Sequence, residues 1–317
     1  MISSVTSSRH IPVMAEEVLE FLGQTAENCP PFGGLMVDGT VGGGGHARRL
    51  LERLGPQGQL AGFDRDPSAL DKARAALGDD PRVRLIHGSY SEALDHLPPE
   101  SACGVLLDLG LSTDQLDPER GFSYSHDAPL DMRFDPTLDL SAFDIVNHYP
   151  VARLREIVFQ YGEEPLAPRI ARGIVNARMA GPLKTTGELA QVVRAAVPER
   201  FAIKALARVF QALRLEVNEE IGHLEQGLEA CWSLLKTGGV FCAISYHSIE
   251  DRRLKRFFAG KAKGCICPPR LPVCVCGKKP SAKQLTSSPL RPTPKEIRLN
   301  PSSRSAKLRA VRKIGRD

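Results

Sequence analysis

The sequence predicts an α/β fold: a parallel sheet that is interrupted by a block of helices and then completed. Three observations carry this. Short apolar runs alternate with amphipathic stretches over the first 110 residues or so. From about 116 to 211 β-like runs are scarce and Ala/Arg/Leu-rich amphipathic segments take over. Beyond 212 the α/β rhythm returns. Alternation of this kind is the signature of strands connected by crossover helices.

In order along the chain, residues 1–9 are polar and are expected to be disordered. HIPVMAEEVLEFL, His10 to Leu22, has apolar residues at helical spacing and should pack as a helix ahead of the first strand. Strands are expected near 35–39, 59–64, 83–88 and 104–109, with helices near 45–54 and 67–77. VARLREIVFQYG, PRIARGIVNARM and TGELAQVVRAAV read as helices of the insertion. A helix near 217–236 leads into a Gly238-Gly239 break and a strand at 240–245, after which EDRRLKRFF starts a basic helix. Residues 261–294, rich in Pro, Cys, Lys and Ser, read as loop, and KEIRLN and SAKLRAVRKI as the last two strands. No internal repeat interrupts this order. The expected division is residues 1–115 with 212–317 as the sheet domain, and 116–211 as the helical insertion.

The chain has 317 residues, 25% of them charged, which suits one large domain carrying an insertion. No apolar run approaches the roughly 18 residues of a membrane span, and the polar start resembles no secretory signal. The expected location is the cytoplasm. There, eight cysteines are thiols or metal ligands rather than a disulfide framework. Charge is distributed unevenly: residues 252–317 hold 19 Lys and Arg against 2 Asp and Glu, whereas residues 1–251 hold 23 against 35. A basic tail on an acidic body suggests a polyanionic partner, with a merely solubilising tail as the alternative.

VDGTVGGGGH, Val37 to His46, is the most informative segment. It reads as strand, glycine turn and helix, a turn that lets a ligand lie against bare backbone. Some twenty residues on, GQLAGFDRD ends a second strand in Asp64, where an acid can bind ribose hydroxyls. Asp38, Asp64, Asp108 and His247 all fall at or just past strand ends, where ligands of open α/β sheets bind. A dinucleotide site is the first rival. Asp38, directly before the turn, would oppose a pyrophosphate but suits a cation. S-Adenosylmethionine carries a sulfonium and an amino group and therefore fits better. Tyr90, after the third strand, is placed to lie against its adenine.

In order, HIPVMAEEVL, DGTVGGGGH, FDRDP, HGSY, LLDLGLSTDQLD, RGFSY, APLDMRFD, YGEE, RIARGIV, FQALRLEVNEE, SYHSIEDR and NPSSRSAKLR span nearly the whole chain. With them the chain resembles the bacterial 16S ribosomal RNA cytosine-N4 methyltransferase family (RsmH, or MraW). The resemblance implies a Rossmann-like, seven-stranded class I methyltransferase sheet with a helical, substrate-recognising domain inserted after the fourth strand. It implies donor contacts from Gly44, Gly45, His46, Asp64, Tyr90, Asp108 and Gln115, and a cytidine in the decoding region of 16S rRNA, or the small ribosomal subunit, as substrate. The chain departs from the family's usual pattern at Tyr246, often Phe, and at Ser302, often basic; both bear on RNA docking rather than on chemistry.

Methylating an exocyclic amine requires nitrogen, methyl and sulfur in line, and acceptors that grip the amine protons. The base must be flipped or single-stranded. Asp108 is the first candidate, facing donor or acceptor, with capping of the following turn as its plain alternative. Asp131, with Arg133, positions the base or a phosphate, or forms an ion pair that fixes its own loop. His247 orients RNA or accepts a proton, or is a hydrogen-bonded structural histidine. Phe122, Tyr124, Phe134 and Tyr246 are candidates for base stacking, with core packing the default for each. Cys265-x-Cys267 and Cys274-x-Cys276 flank a proline-rich bend and suit a structural, tetrahedral zinc, or are loop thiols without a metal. The alternative to an enzyme is a non-catalytic ribosome-assembly factor that binds RNA on a methyltransferase scaffold.

Overall fold

The computed structural model describes residues 11–110, 118–265, 267, 273 and 275–315. The chain divides into two compact units, one up to Gly110 and from His223 onward, the other from Leu111 to Gly222.

The first unit is built on a seven-stranded sheet. Its strands are β1 (Leu35–Asp38), β2 (Gln59–Asp64), β3 (Val83–His87), β4 (Ala102–Asp108), β5 (Leu235–Ser245), β6 (Ala282–Gln284) and β7 (Lys307–Lys313). Their spatial order is β3-β2-β1-β4-β5-β7-β6. The first five are parallel, β7 runs antiparallel to β5, and β6 antiparallel to β7. The sheet reverses its direction of growth between β1 and β4. A crevice opens at such a switch point, beyond the carboxyl ends of the strands.

Successive side chains of a strand point to opposite faces, and the core divides accordingly. Leu106 of β4 and Val240, Cys242 and Ile244 of β5 pack with Val18, Leu22 and Leu50. Val105, Leu107, Phe241 and Ala243 pack on the other face with Leu228, Trp232 and Phe258. The first face is covered by α1 (Ala15–Leu22), α2 (Gly45–Leu51) and α3 (Pro67–Leu77). The short α4 (Ala93–His96) contributes to the second.

The second unit contains α5 (Ala142–His148), α6 (Val151–Gln160), α7 (Ala167–Arg178), α8 (Thr186–Ala196) and α9 (Glu199–Val217). Ile145, Leu154, Ile170, Leu189, Leu206 and Leu213 form its separate core. The expected junction at 211/212 would cut α9. This helix is continuous to Val217, and Leu213 and Val217 are buried in the helical core with the residues before them. The junction falls instead within α10 (Glu220–Leu234). The first junction falls at Gly110 rather than 115.

Past β5 the basic helix α11 spans Ser248–Ala262 and covers the second face through Leu254 and Phe258. Two expectations need correction here. KEIRLN is not a strand. It forms most of α12 (Pro294–Leu299), because Thr293 caps it by accepting the Glu296 N–H and Pro294 fits the first helical turn. The remaining edge strand is β6, three residues inside the stretch that reads as loop. It was invisible as a pattern because only Ala282 of it is buried. Nor is Gly238-Gly239 a break before a strand. β5 starts at Leu235, and the pairing with β4 skips from Leu235 to Val240 across a bulge that includes Gly238 at φ 88°.

Candidate active site

The described strand-end acids gather at the switch point of the sheet. Asp38, Asp64 and Asp108 are the last residues of β1, β2 and β4. Backbone and hydroxyl hydrogen bonds tie these tips together. The Thr40 N–H donates to Asp38 Oδ1 at 3.2 Å, and the Asp108 N–H donates to Thr40 Oγ1 at 2.7 Å. Thr40 thus couples the two acids on either side of the reversal. Thr40→Val keeps the shape and deletes this acceptor, leaving a half-buried N–H unpaired. A loss of about 1–3 kcal/mol in urea unfolding is expected, together with weaker binding of the donor proposed below; an unchanged unfolding midpoint would refute the coupling.

Asp38 is fully buried, and its Oδ2 has no hydrogen-bond partner among the described residues. Burial raises its pKa to about 6; neighbouring His46 pulls it down, and the charges of Asp108 and Asp64 push it up. His46, near the start of α2, lies with Nε2 3.5 Å from Asp108 Oδ2, an ionic contact too long for a good hydrogen bond. Burial disfavours charge on His46, but Asp108 and Asp38 outweigh it and raise its pKa. Asp108 Oδ1 is buried and likewise unpartnered among the described residues.

Asp64 differs. Its two oxygens accept the N–H groups of Asp66 and Gly42, each at 2.9 Å. Burial still raises its pKa against those hydrogen bonds. Tyr90 sits in the short 3₁₀ turn after β3, a turn capped by Ser89. Two glycines make room for it. A Cβ on Gly39 would lie 3.0 Å from Tyr90 Cβ and 2.4 Å from Leu107, and one on Gly227 of α10 would lie 2.2 Å from the Tyr90 ring. Gly227→Ala therefore pushes the ring aside. The expected result is a tenfold or greater loss of nucleoside affinity by calorimetry with little change in helix content; unchanged affinity would remove Tyr90 from the site. Gly44 and Gly45 lead into α2 directly ahead of His46.

The model of the MraW methylase family matches residues 7–314. The chain belongs to the MraW methylase family. Among its curated relatives, proteins named ribosomal RNA small subunit methyltransferase H come from Geobacter sp. strain M21, Symbiobacterium thermophilum and Thermomicrobium roseum. The first is 47% identical, covering 96% of this chain and 98% of the relative. The second is 46% identical, with 96% of each covered. The third is 45% identical, covering 98% and 95%.

In this MraW-family chain the other singled-out residues are placed as follows. His247 is the N-cap of α11. Its Nδ1 accepts the Glu250 N–H at 3.4 Å, and its Nε2 lies 2.9 Å from Glu250 Oε1. Glu250 reaches back to the N–H groups of Tyr246 and His247. The arrangement is a reciprocal cap through Nδ1, while Nε2, though near Glu250 Oε1, makes no hydrogen bond among the described residues. Asp131 lies in the second unit, where Arg133 grips it through Nε at 3.0 Å and Nη2 at 2.7 Å. Burial opposes its ionisation, but Arg133 prevails and holds its pKa below the usual carboxylate range. The same guanidinium bonds the Leu138 carbonyl at 2.5 Å, so this pair fixes its own loop. Phe122 and Phe134 stack on each other at 5.5 Å and Tyr124 packs edge-on against Phe210, all in or against the helical core. Core packing, rather than base stacking, is what the structure gives them.

Tyr246 is the aromatic whose position sequence reasoning undervalued. A Cβ on Gly110 would lie 2.5 Å from its ring. Burial, and after it the charge of Asp108, hold its phenol far above its ordinary pKa, so it stays protonated beside that carboxylate. Thr40 was missed because a threonine inside a glycine turn carries no signal of its own. Gln115 and Cys274 lie outside the described residues. The Sγ atoms of Cys265, Cys267 and Cys276 do come together, within 4.8 Å of one another. Among the described residues no helix is long and apolar enough to cross a membrane.

Proposed function

We propose that this chain transfers a methyl group from S-adenosylmethionine to the N4 amine of a cytidine in the decoding region of 16S rRNA. The observation that carries the reading is the acid cluster at the switch point, with buried Asp38 and its unpartnered oxygen inside it. Family membership and the relatives' printed names support an rRNA substrate. The strongly basic residues 252–317 supply a surface suited to a polyanion.

The donor set fits the cofactor. Three carboxylates with one histidine between two of them leave a net negative site, which favours a cation and disfavours a pyrophosphate. When bound, S-adenosylmethionine supplies a methyl carbon made electrophilic by its sulfonium charge. Asp38 faces the cationic part through Oδ2. Asp64 has lone pairs left beside its two backbone donors and accepts ribose hydroxyls. Tyr90 lines the base, and Gly44, Gly45 and His46 complete the wall among the described residues. Asp108 would hold the amine of the acceptor base through Oδ1 and take the proton the nitrogen sheds as it gains the methyl carbon, the carbon–sulfur bonding pair staying with the donor as a neutral thioether. Tyr246, protonated beside it, keeps that carboxylate oriented. His247 acts as a positioning residue through the start of α11, and Asp131 orders the loop before α5 within its own unit. The base enters flipped or single-stranded, because a paired amine is out of line.

The test is incubation with isotopically labelled donor and unmodified small ribosomal subunits, followed by digestion and mass mapping. The expected label is one methyl on N4 of one cytidine. Label on C5, on another base or on protein, or no label at all, would overturn the assignment.

A further inference from the structure

We propose that Cys265, Cys267 and Cys276 bind a structural zinc ion that closes the neck of the excursion between α11 and β6. Four observations converge on these thiols, and none depends on the methyl-transfer reading.

The first is distance. Cys276 Sγ lies 3.8 Å from Cys265 Sγ. Tetrahedral zinc with bonds of about 2.3 Å holds its thiolate sulfurs about 3.8 Å apart. A disulfide would bring them to about 2 Å. Cys267 Sγ completes a triangle with no side above 4.8 Å. The second is a hydrogen bond of the kind that supports metal thiolates: the Cys267 N–H donates to Cys265 Sγ at 3.3 Å, spreading the charge of that sulfur into the backbone.

The third is the neck itself. Lys278 Nζ donates to the Gly260 carbonyl at 3.0 Å, and Ser281 donates to the Lys261 carbonyl through N–H at 2.9 Å and Oγ at 3.2 Å. The end of α11 and the approach to β6 are therefore already side by side, with the cysteines just beyond. The fourth is the absence of a hydrophobic hold. Val273 and Val275 are more than 70% exposed, and no described residue from 265 to 276 is buried. Described residues that bury no apolar surface need another staple, and a metal is one. Lys263, Lys278 and Lys279 flank the thiols in sequence and offset the negative charge of a thiolate site. Cys274 repeats the spacing of Cys267 and lies outside the described residues; the proposal rests on the other three.

The test uses the full-length, untagged chain. Elemental analysis after dialysis against metal-free buffer is expected to find about one zinc per chain. After zinc removal, titration with Co²⁺ alone is expected to give intense tetrahedral bands between about 600 and 750 nm and thiolate charge transfer in the near ultraviolet. Cys276→Ser is expected to retain less than a tenth of the zinc, and chelation of the wild type to expose residues 262–280 to limited proteolysis. Less than 0.1 zinc per chain with no cobalt bands would overturn the proposal. So would equal zinc in Cys276→Ser and wild type, or proteolysis indifferent to chelation. If Cys276→Ser fails to fold, the wild-type cobalt spectrum and the proteolysis decide.

Discussion

Asp38→Asn is expected to stabilise the ligand-free chain at pH 7.5 and, at the same time, to weaken S-adenosylmethionine binding at least a hundredfold. The two effects share one cause. Asp38 is buried, has an unpartnered oxygen and stands near two other acids, so its ionised form is held at a cost. Its folded pKa of about 6 lies above the ordinary 3.8. A raised carboxyl contributes stability below its unfolded pKa and loses it as pH rises through the folded value. Over this interval the loss amounts to about 3 kcal/mol. Asparagine keeps the size and removes the charge. Its advantage in urea unfolding should therefore be largest at pH 7.5 and fade toward pH 4. His46 adds a pH dependence of the same sign, since its raised pKa also favours the protonated folded state, and for this reason the measurement is the difference between variant and wild type. Donor binding should move the other way, because the charge that costs the ligand-free chain stability is the one that would attract a sulfonium. A variant less stable at both pH values, or one binding the donor within tenfold of wild type, would contradict this account.

Asp108→Ala should abolish methylation far more than it weakens RNA binding. Its Oδ1 is buried without a partner among the described residues, while its backbone N–H is held by Thr40 and its Oδ2 faces His46. On the proposed reading this open carboxylate oxygen holds the amine and takes its proton, a contribution of about 10²–10⁴ in rate. Single-turnover methylation at saturating donor is expected to fall about a thousandfold, with small-subunit affinity within threefold of wild type. Asp108→Asn, which still accepts a hydrogen bond but is a far weaker base, should lie between. Equal loss of rate and RNA affinity would make Asp108 a binding residue; unchanged turnover would take it out of the mechanism.

Most of the sheet could be read from the residues because its central strands are short apolar runs with acids at their tips. The acids matter doubly. Each ends a strand at the carboxyl side of the sheet, so locating the strands also located Asp38, Asp64 and Asp108. Where a strand lacked an apolar pattern the reading failed. β6 has one buried residue, and a Thr-Pro-x-Glu cap made a helix of KEIRLN. The long α9 ran past the expected domain boundary because its buried face continues to Val217, which composition does not reveal. The least legible were the residues whose role depends on a partner. His247, Asp131 and the aromatics of the 120s and 130s carry chemistry-bearing groups, yet the Glu250 N–H takes up Nδ1 of the first, Arg133 the second and the helical core the third.

The sequence by itself determined the α/β alternation, the helical interruption, the glycine turn, the acids at the strand ends, the family, and the four cysteines in pairs. Those are local patterns, set by periodicity and by the order of motifs along one chain. Only the tertiary structure decided which carboxylate oxygens stay without a partner among the described residues, that Thr40 links two of the acids, that Tyr246 stands beside Asp108, and that three thiols converge at the end of α11. The reason is physical. A carboxylate or thiol takes its charge and reactivity from burial and from neighbours distant in sequence, and those neighbours exist only once the strands have paired.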